Sequence, residues 1–291
     1  MIYKDPKAPV EERVADLLAR MTLEEKIAQV QCMEIDSLLL DDKVDMNKVA
    51  ENLDEGIGQL RDYFHVNEVA SVQAHNQVQK YLMEETRLGI PAIIHGEGLH
   101  GYVNDKATSF PQASAMASTF NLELIDSVYS TIAREARSRG VAHLLSPVLD
   151  VVRDPKWGRF SESFGEDPYL AGEIAVQVVN SMQGENQDIA SNDHVIATLK
   201  HFPGHGTTVA GLNCAPIVAT ERELKEVYMY PFEQAVKRAG ALAVMASYGE
   251  YDGIPTHTNP NLLKDVLRDQ WGFNGIVVSD YFAIPLLTTG W

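Results

Sequence analysis

The feature that most constrains this chain is a regular alternation of strand-like and helix-like segments. Short apolar runs typical of buried strands recur about every 30–55 residues, and an amphipathic segment separates each run from the next. Strands are predicted at 57–60, 91–95, 141–148, 195–199, 242–246 and 276–279. The last run ends at Asp280 and its apolar residues predict a strand buried on both faces. The alternation predicts parallel strands joined by right-handed helical connections.

The predicted helices begin and end at recognisable residues. Thr22 with Glu25, and Thr220 with Glu223, have the spacing of a capping box. Asn67 and Asn121 precede two further helical patterns, and glycines follow several of the helices. In the helix after Asn121, the apolar face is predicted to contain Leu124, Val128 and Ile132. Helices are predicted at 10–21, 22–30, 67–87, 121–140, 170–182, 220–240 and 262–271.

The fold class predicted from this order is α/β, with a (β/α)8 TIM-type barrel as the architecture. A doubly wound open sheet is the alternative, although no Gly-x-Gly-x-x-Gly motif follows the first strands. Six strand patterns are two short of a closed barrel. We therefore expect one domain over residues 1–291, a barrel that is incomplete at its C-terminal end.

Composition and charge exclude several classes of function. The net charge of −17 opposes binding to nucleic acid or to an anionic membrane surface. Cys32 and Cys214 are too far apart in sequence for a Cys-x-x-Cys ligand pair and give no disulfide framework. No apolar run is long enough to span a membrane and the first residues lack a signal core. A cytoplasmic location is expected for the chain as written, with a secreted or periplasmic parent as the alternative.

Polar residues collect directly after the strand patterns, where parallel barrels carry their active sites. Each residue also has a structural interpretation. Asp280 could cap the next helix, and Trp157 could fill its loop instead of offering a face for stacking. Arg153 and Arg159 could form structural ion pairs with Glu162 or Glu166. The candidate site residues are Glu97, Trp157, Arg159, Lys200, His201, Met245, Tyr248 and Asp280.

The chemistry of this set favours a sugar substrate. Cationic donors, carboxylate acceptors and an aromatic side chain suit the hydroxyl groups of a sugar. An aspartate at a strand end can be the nucleophile of a retaining glycosidase, which then needs a second carboxyl group to protonate the leaving group. One rival hypothesis is a metal-dependent hydrolase, with ligands drawn from His95, Glu97, His100, His201 and His205. Another is a sugar-binding fragment without catalysis.

Five motifs resemble glycoside hydrolase family 3 and occur in the order of that family. They are RDPKWGR (153–159), ESFGEDP (162–168), KHF (200–202), VMASY (244–248) and VSDY (278–281). The resemblance implies that Asp280 is the catalytic nucleophile. It also implies that the first sugar subsite contains Glu97, Arg159, Lys200, His201, Met245 and Tyr248. No metal or other cofactor is implied.

Two departures from the family pattern narrow the expected activity. The members that act on aminosugars carry Asp-Ser-His shortly after the histidine-rich motif, and no such triplet follows Gly206. In the glucosidase and xylosidase branch, the acid/base glutamate comes from an α/β-sandwich domain after the barrel, and we expect this domain to be absent from the chain.

The predicted function is hydrolysis of terminal non-reducing β-D-glucosyl residues with retention, on an oligosaccharide or an aryl or alkyl β-glycoside. A β-xylosidase is the alternative, because Glu97 replaces the aspartate common in strict glucosidases. We expect the isolated chain to show little turnover, and to act with a complementing domain or as a homo-oligomer.

Overall fold

The computed structural model describes residues 1–62, 67–184 and 186–289. Backbone contacts divide the chain into two compact units. The first comprises Met1–His95 with Asn104–Lys106, and the second comprises Gly96–Val103 with Ala107–Trp291.

The first unit contains three parallel strands and a small hairpin. Its strands are β1 (Cys32–Glu34), β2 (Leu39–Leu40), β3 (Lys43–Val44), β4 (Gln59–Arg61) and β5 (Ile93–Gly96, whose last residue belongs to the second unit). Strand β4 lies between β1 and β5, so that Leu60 is level with Met33 on one side and Ile94 on the other. Strands β2 and β3 form the antiparallel hairpin. The helical segments are Ile2–Lys4, Val10–Arg20, Leu23–Gln29, Ile35–Leu38, Met46–Leu53 and Glu68–Glu84.

The helices of this unit begin where the sequence places their caps. Thr22 and Glu25 form the predicted capping box, in which each side chain bonds to the other residue's backbone N–H. Asn67 accepts a hydrogen bond from the Ala70 N–H at the start of Glu68–Glu84. These contacts satisfy backbone donors that the first helical turn leaves unpaired.

The second unit contains four parallel strands whose order along the sheet follows the chain. These strands are β6 (His143–Leu144), β7 (Ile196–Phe202), β8 (Ala243–Ala246) and β11 (Ile276–Val278); β9 (Glu250–Tyr251) and β10 (Ile254–Pro255) form a separate hairpin. A doubly wound sheet reverses its strand order at a switch point, whereas the order here is sequential, as in a barrel. The longer helical segments are Leu122–Ser138, Pro168–Gln183, Tyr230–Ala239 and Asn261–Gln270. The shorter ones are Ala113–Ala117, Phe160–Glu162, His205–Thr207, Val209–Gly211, Glu221–Glu223, Leu224–Tyr228, Thr256–Thr258 and Ala283–Thr289.

The core of the second unit lies between its strands and its long helices. Leu199 and Val244 on the strands are fully buried, as are Ile132 and Val178 on the helices. Each large apolar side chain that is buried in this way contributes roughly 1.5–3 kcal/mol to folding. Gly275 lets β11 start close to β8, because a Cβ atom at this position would lie 2.1 Å from the Leu242 carbonyl oxygen.

The structure corrects several predicted strands. Strand β1 was missed, because its three residues include no β-branched run and lie partly exposed at the edge of the sheet. The strand predicted at 141–148 is regular only at His143–Leu144. The strand predicted to end at 199 continues to Phe202, so that Lys200 and His201 lie within β7.

Two predictions of burial were also wrong. Strand β11 is not buried on both faces, since Ile276 is 39% exposed and β8 is the one neighbour among the described strands. In the helix Leu122–Ser138, Leu124 is 44% exposed, and the buried face passes through Ile125, Val128 and Ile132. In the part of the chain described, no helix has the length and apolar character needed to cross a membrane.

Candidate active site

The predicted site residues converge at the carboxyl ends of the strands, and all of them belong to the second unit. Glu97 follows β5, Tyr248 follows β8 and Asp280 follows β11, while Lys200 and His201 lie near the end of β7. Parallel strands present their carboxyl ends at the same edge, so the topology explains why residues distant in sequence meet here.

Asp280 is a buried carboxylate with one oxygen turned toward polar side chains. It is 6% exposed, and Oδ1 accepts a hydrogen bond of 2.7 Å from the N–H of Tyr281. Oδ2 has no hydrogen-bond partner among the described residues and lies 3.8 Å from Nε2 of His201. The next helix starts at Ala283, so Asp280 does not occupy the N-cap position that was the structural alternative.

The surroundings of Asp280 disfavour its ionisation only in part. Burial raises the pKa of this carboxyl group above its ordinary value. The Tyr281 N–H, the Tyr248 hydroxyl and the charges of Lys200 and Arg159 lower the pKa and oppose the effect of burial.

His201 is fixed by a buried aspartate. Oδ2 of Asp150 lies 2.8 Å from Nδ1 of His201 and 3.1 Å from the His201 backbone nitrogen. Burial lowers the pKa of His201 well below its ordinary value, and the charges of Arg159 and Lys200 act in the same direction. His201 is therefore a neutral imidazole at neutral pH.

Arg159 lies at the centre of the polar network. Nε and Nη2 each donate to a carboxylate oxygen of Glu162 at 2.9 Å, which is one of the ion pairs that the sequence left open. Nη2 also donates to Nε2 of His201 at 3.1 Å, and Nη1 donates to Oδ1 of Asn213 at 3.4 Å. Burial lowers the Arg159 pKa, but the hydrogen bonds of Glu162 and the charges of Asp150 and Asp280 outweigh it, so the net shift is upward.

Lys200 and Glu97 form an ion pair at the edge of this network. Nζ of Lys200 lies 2.9 Å from Oε2 of Glu97, and Lys200 is 4% exposed. The sequence suggested that a lysine at the end of an apolar strand must have a partner, and Glu97 is that partner. The carboxylate of Glu97 keeps a second oxygen available for another donor.

Tyr248 and Met245 occupy the predicted places beside Asp280. The Tyr248 hydroxyl donates to the Tyr281 carbonyl at 2.6 Å, and burial raises its pKa, as does the charge of Asp280. Met245 on β8 is level with Val278 on β11 and is almost completely buried. Both residues therefore support the end of β11, which carries Asp280.

Trp157 does not offer the stacking face that the sequence suggested. It is 1% exposed and packs with Val148 and Val152. One face of its indole lies under the guanidinium of Arg159, 5.7 Å from the ring centroid. The ring fills its loop beneath Arg159, which is the structural alternative to a stacking face.

Four further residues belong to the site although they were not among the candidates for the glycosidase site, and of these four the sequence had suggested only His205, as a metal ligand. Asp150 holds His201, and Asn213 accepts from Arg159 and lies 3.0 Å from Nε2 of His205. The imidazole of His205 lies 4.7 Å from that of His201, and burial lowers the pKa of His205 to about 3. His257 Nε2 lies 3.4 Å from the Asp280 backbone nitrogen. Asp150 and His205 stood in polar clusters of the sequence, whereas nothing in the sequence marks Asn213 or His257.

The metal-centre hypothesis finds no support in the arrangement of the side chains. Within residues 1–62, 67–184 and 186–289, no three histidine, cysteine, aspartate or glutamate side chains are grouped as metal ligands. Nδ1 of His100 lies 3.0 Å from the Phe110 carbonyl oxygen, and His201 is bound by Asp150. The two histidines are thus engaged by acceptors through Nδ1 instead of being directed with other ligands at one point.

Comparison with known proteins identifies the family. A family model described as "Glycosyl hydrolase family 3 N terminal domain" matches residues 22–289. The chain belongs to glycosyl hydrolase family 3. This confirms the family that the five motifs indicated.

Three similar proteins illustrate the relationship. A putative beta-xylosidase of Formosa agariphila is 40% identical over 288 residues, which cover 96% of this chain and 37% of that protein. A periplasmic beta-glucosidase of Salmonella typhimurium is 35% identical, with 94% of this chain and 34% of that protein covered. The solved structure of a β-glucosidase from Erythrobacter marinus superimposes with a TM-score of 0.92 and 35% identity over 99% of this chain and 38% of that one.

The family 3 chain thus spans little more than a third of the length of these relatives. Seven parallel strands flanked by helices match part of a (β/α)8 barrel, which confirms the predicted fold class.

Proposed function

We propose that this chain carries the nucleophile and the first sugar subsite of a retaining β-glycosidase. The observation that supports the proposal best is the position of Asp280. Its Oδ2 atom is buried, has no hydrogen-bond partner among the described residues and lies beside His201, in a site that also contains Arg159 and Lys200. Most buried side-chain polar atoms in folded proteins have a hydrogen-bond partner, so a carboxylate oxygen without one calls for an explanation, and a reacting oxygen provides it.

In the proposed reaction, Oδ2 of ionised Asp280 forms a bond to the anomeric carbon of the sugar. The bond from that carbon to the leaving-group oxygen breaks, and the leaving oxygen keeps the electron pair and takes a proton from a general acid. Water then attacks the same carbon, gives its proton to the conjugate base of that acid and releases Asp280. Two inversions retain the β configuration.

The general acid must be a carboxyl group about 5–5.5 Å from the nucleophile. The described carboxylates of the site all have other partners: Glu97 is paired with Lys200, Glu162 with Arg159, and Asp150 with His201. We propose that the acid belongs to a domain outside residues 1–291, which form the barrel part of the catalytic unit. The greater length of the relatives is consistent with this.

The proposed substrate is a terminal, non-reducing β-D-glucosyl residue of an oligosaccharide or an aryl or alkyl glycoside. Lys200 and Arg159 supply donors and Glu97 supplies acceptors for the hydroxyl groups of the sugar. A β-xyloside is the second candidate, supported by Glu97 at the position of the usual aspartate and by two relatives that are named β-xylosidases.

The experiment is hydrolysis of aryl β-glucosides and β-xylosides whose leaving groups are so acidic that they need little protonation. The chain is compared with Asp280→Asn and with the exposed control Asp265→Asn. We expect slow release by the chain and by the control, and a loss of about 10³-fold or more in Asp280→Asn. The sugar that is released faster identifies the branch.

A 2-deoxy-2-fluoro glycoside with an activated leaving group tests the nucleophile without full turnover, because its covalent intermediate accumulates. Mass spectrometry should locate the sugar on Asp280. A label on another residue would overturn the assignment. Sugar binding without labelling or release would instead favour the non-catalytic alternative.

A further inference from the structure

Asp150, a buried aspartate just before the RDPKWGR motif, contacts the histidine that lies beside Asp280. Asp150 is almost completely buried, and a single oxygen, Oδ2, contacts two donors of one residue, the backbone N–H and the Nδ1 atom of His201. Its other oxygen, Oδ1, has no hydrogen-bond partner among the described residues. The carboxylate is therefore used as an acceptor for His201 alone.

Two bonds to the same acceptor determine both the position and the protonation of the imidazole. The backbone bond fixes the main chain of His201 relative to Asp150, and the bond to Nδ1 fixes the ring plane. Burial raises the pKa of Asp150, while the charges of Arg159 and Lys200 and the His201 N–H lower it. In its ionised form the carboxylate only accepts, so the proton of the neutral ring lies on Nδ1. Nε2 then carries a lone pair, which agrees with the Arg159 Nη2–H donor 3.1 Å away.

The charged and titratable groups around the ring fit this assignment. Asp150 faces Nδ1, whereas Arg159 faces Nε2, and Asp280 lies 3.8 Å from Nε2. Lys200 precedes His201 in the chain, and Nε2 of the neighbouring His205 ring lies 3.0 Å from Oδ1 of Asn213 and 3.4 Å from Nη1 of Arg159. His201 consequently has no proton to give to Asp280, and the imidazole does not neutralise the carboxylate.

We propose that Asp150 is a positioning residue that holds His201 in the Nδ1–H tautomer, so that Nε2 presents a hydrogen-bond acceptor beside Oδ2 of Asp280. A ligand group at this point must donate a hydrogen bond. A sugar hydroxyl satisfies this requirement, whereas a fluorine or a methoxy group at the same carbon does not. The recognition of a hydroxyl rests on the proposed function, but the tautomer does not.

Nitrogen NMR of the chain labelled with ¹⁵N-histidine tests the tautomer without any substrate. The two ring nitrogens of a neutral imidazole differ widely in chemical shift according to which one carries the proton. The His201 signals, among nine histidines, are assigned by their loss in His201→Gln. We expect Nδ1 to be protonated and Nε2 unprotonated at neutral pH. A proton on Nε2, or on both nitrogens, would overturn the proposal.

Two substitutions of Asp150 separate positioning from charge. In Asp150→Asn, the amide oxygen can replace Oδ2 and keep both bonds, while the amide nitrogen replaces the oxygen that has no partner. We expect this variant to keep the His201 tautomer. Asp150→Leu removes the acceptor, and we expect the His201 shifts to change and kcat/KM for an activated aryl glycoside to fall on the order of 10²-fold, as for a misplaced catalytic group.

Asp126→Ala is the matched control, because Asp126 on the helix Leu122–Ser138 is a partly buried aspartate bound by Ser181 and Gln177 of the helix Pro168–Gln183. We expect it to leave the His201 shifts and kcat/KM unchanged. Unchanged His201 shifts in a folded Asp150→Leu would refute the positioning role. If Asp150→Leu does not fold, the spectra of the unsubstituted chain and of Asp150→Asn still show whether His201 is held in the Nδ1–H tautomer. If the proposed glycosidase function is wrong, the unsubstituted chain will be inactive while its His201 nitrogen spectrum still shows the expected tautomer.

Discussion

Nε2 of His201 and Oδ2 of Asp280 lie 3.8 Å apart, too far for a hydrogen bond, and both atoms are acceptors. The Tyr281 N–H, the Tyr248 hydroxyl and the positive charges of Lys200 and Arg159 favour the ionised form of Asp280, while burial acts against it and is the larger influence on its pKa. This balance makes the carboxylate available for reaction at a cost in stability.

Replacing Asp280 with asparagine should stabilise the fold at neutral pH by about 1 kcal/mol, as is common for strained active-site residues. Burial raises the folded-state pKa of Asp280, so the folded protein binds its proton more tightly than the unfolded chain does. The stability of the unsubstituted protein therefore falls as the pH rises from the unfolded pKa of about 3.9 through the raised folded value. Urea unfolding at several pH values measures this.

In the same experiment, the advantage of Asp280→Asn should disappear below that pH window, where Asp280 is protonated in both states. Asp265→Asn, on an exposed helix surface, should change the free energy of unfolding by no more than about 0.5 kcal/mol at any pH. An Asp280→Asn protein that is less stable at pH 7 would contradict the expectation.

Tyr248→Phe should move the acid limb of the pH profile of kcat/KM to higher pH. The Tyr248 hydroxyl is one of the groups that lower the pKa of Asp280, so its removal raises that pKa further. Since the nucleophile must be ionised, activity is then lost at a higher pH as the solution is acidified. Hydrolysis of an activated aryl glycoside across the acid range measures this, with Tyr251→Phe on the β9–β10 hairpin as the control. An acid limb that stays in place or moves to lower pH would contradict this effect of the Tyr248 hydroxyl on the pKa of Asp280.

The ion pair of Glu97 and Lys200 should show strong coupling in a double-mutant cycle. Glu97→Gln leaves the buried Lys200 ammonium without its anion, and we expect a loss of about 2 kcal/mol, between the values for exposed and fully buried pairs. Adding Lys200→Met to Glu97→Gln should cost much less than the sum of the single changes. Denaturant unfolding of the four proteins gives the coupling energy. Glu221→Gln, in the exposed pair with Lys225, is the control and should change the free energy of unfolding far less than Glu97→Gln does.

Trp157→Ala should reduce the free energy of unfolding by about 3–5 kcal/mol, because it removes a large buried side chain from beneath Arg159. Trp157→Phe keeps an aromatic ring in that position and should cost less. In Trp157→Phe, KM for an aryl glycoside should stay close to that of the unsubstituted chain, since the indole has no exposed face for the sugar. Thermal unfolding and initial rates test both statements. A large rise in KM with little change in stability would restore the stacking hypothesis.

The sequence was informative wherever a residue's neighbours lie close along the chain. The capping boxes at Thr22 and Thr220 depend on contacts three residues away, and both form as predicted. The pairing of Arg159 with Glu162 is equally local. The positions of Glu97, Lys200 and Asp280 could be expected because parallel strands bring their carboxyl ends together.

Other features depend on contacts that the sequence does not display. Asn213 reaches Arg159 across 54 residues, and Asp150 reaches His201 across 51. Strand β1 depends on its pairing with β4, because its own residues carry no strand pattern. Trp157 was misjudged because a polar loop usually exposes its side chains, whereas this loop packs its ring against Val148 and Val152.

Strand β11 is hydrogen-bonded to β8 and to no other described strand, and two residues beyond its end is Asp280. A strand that is held along one side opens at a lower free-energy cost than a strand inside a sheet. Hydrogen bonds from Arg268 to the carbonyls of Phe273 and Gly275 tie down the start of β11, while the Tyr248 hydroxyl bonds to the carbonyl of Tyr281 after it. The alignment of the Asp280 carboxylate with a substrate therefore depends on local backbone fluctuation as well as on side-chain chemistry. Arg268 lies 12 residues before Asp280, and its loss would increase the fluctuation of β11.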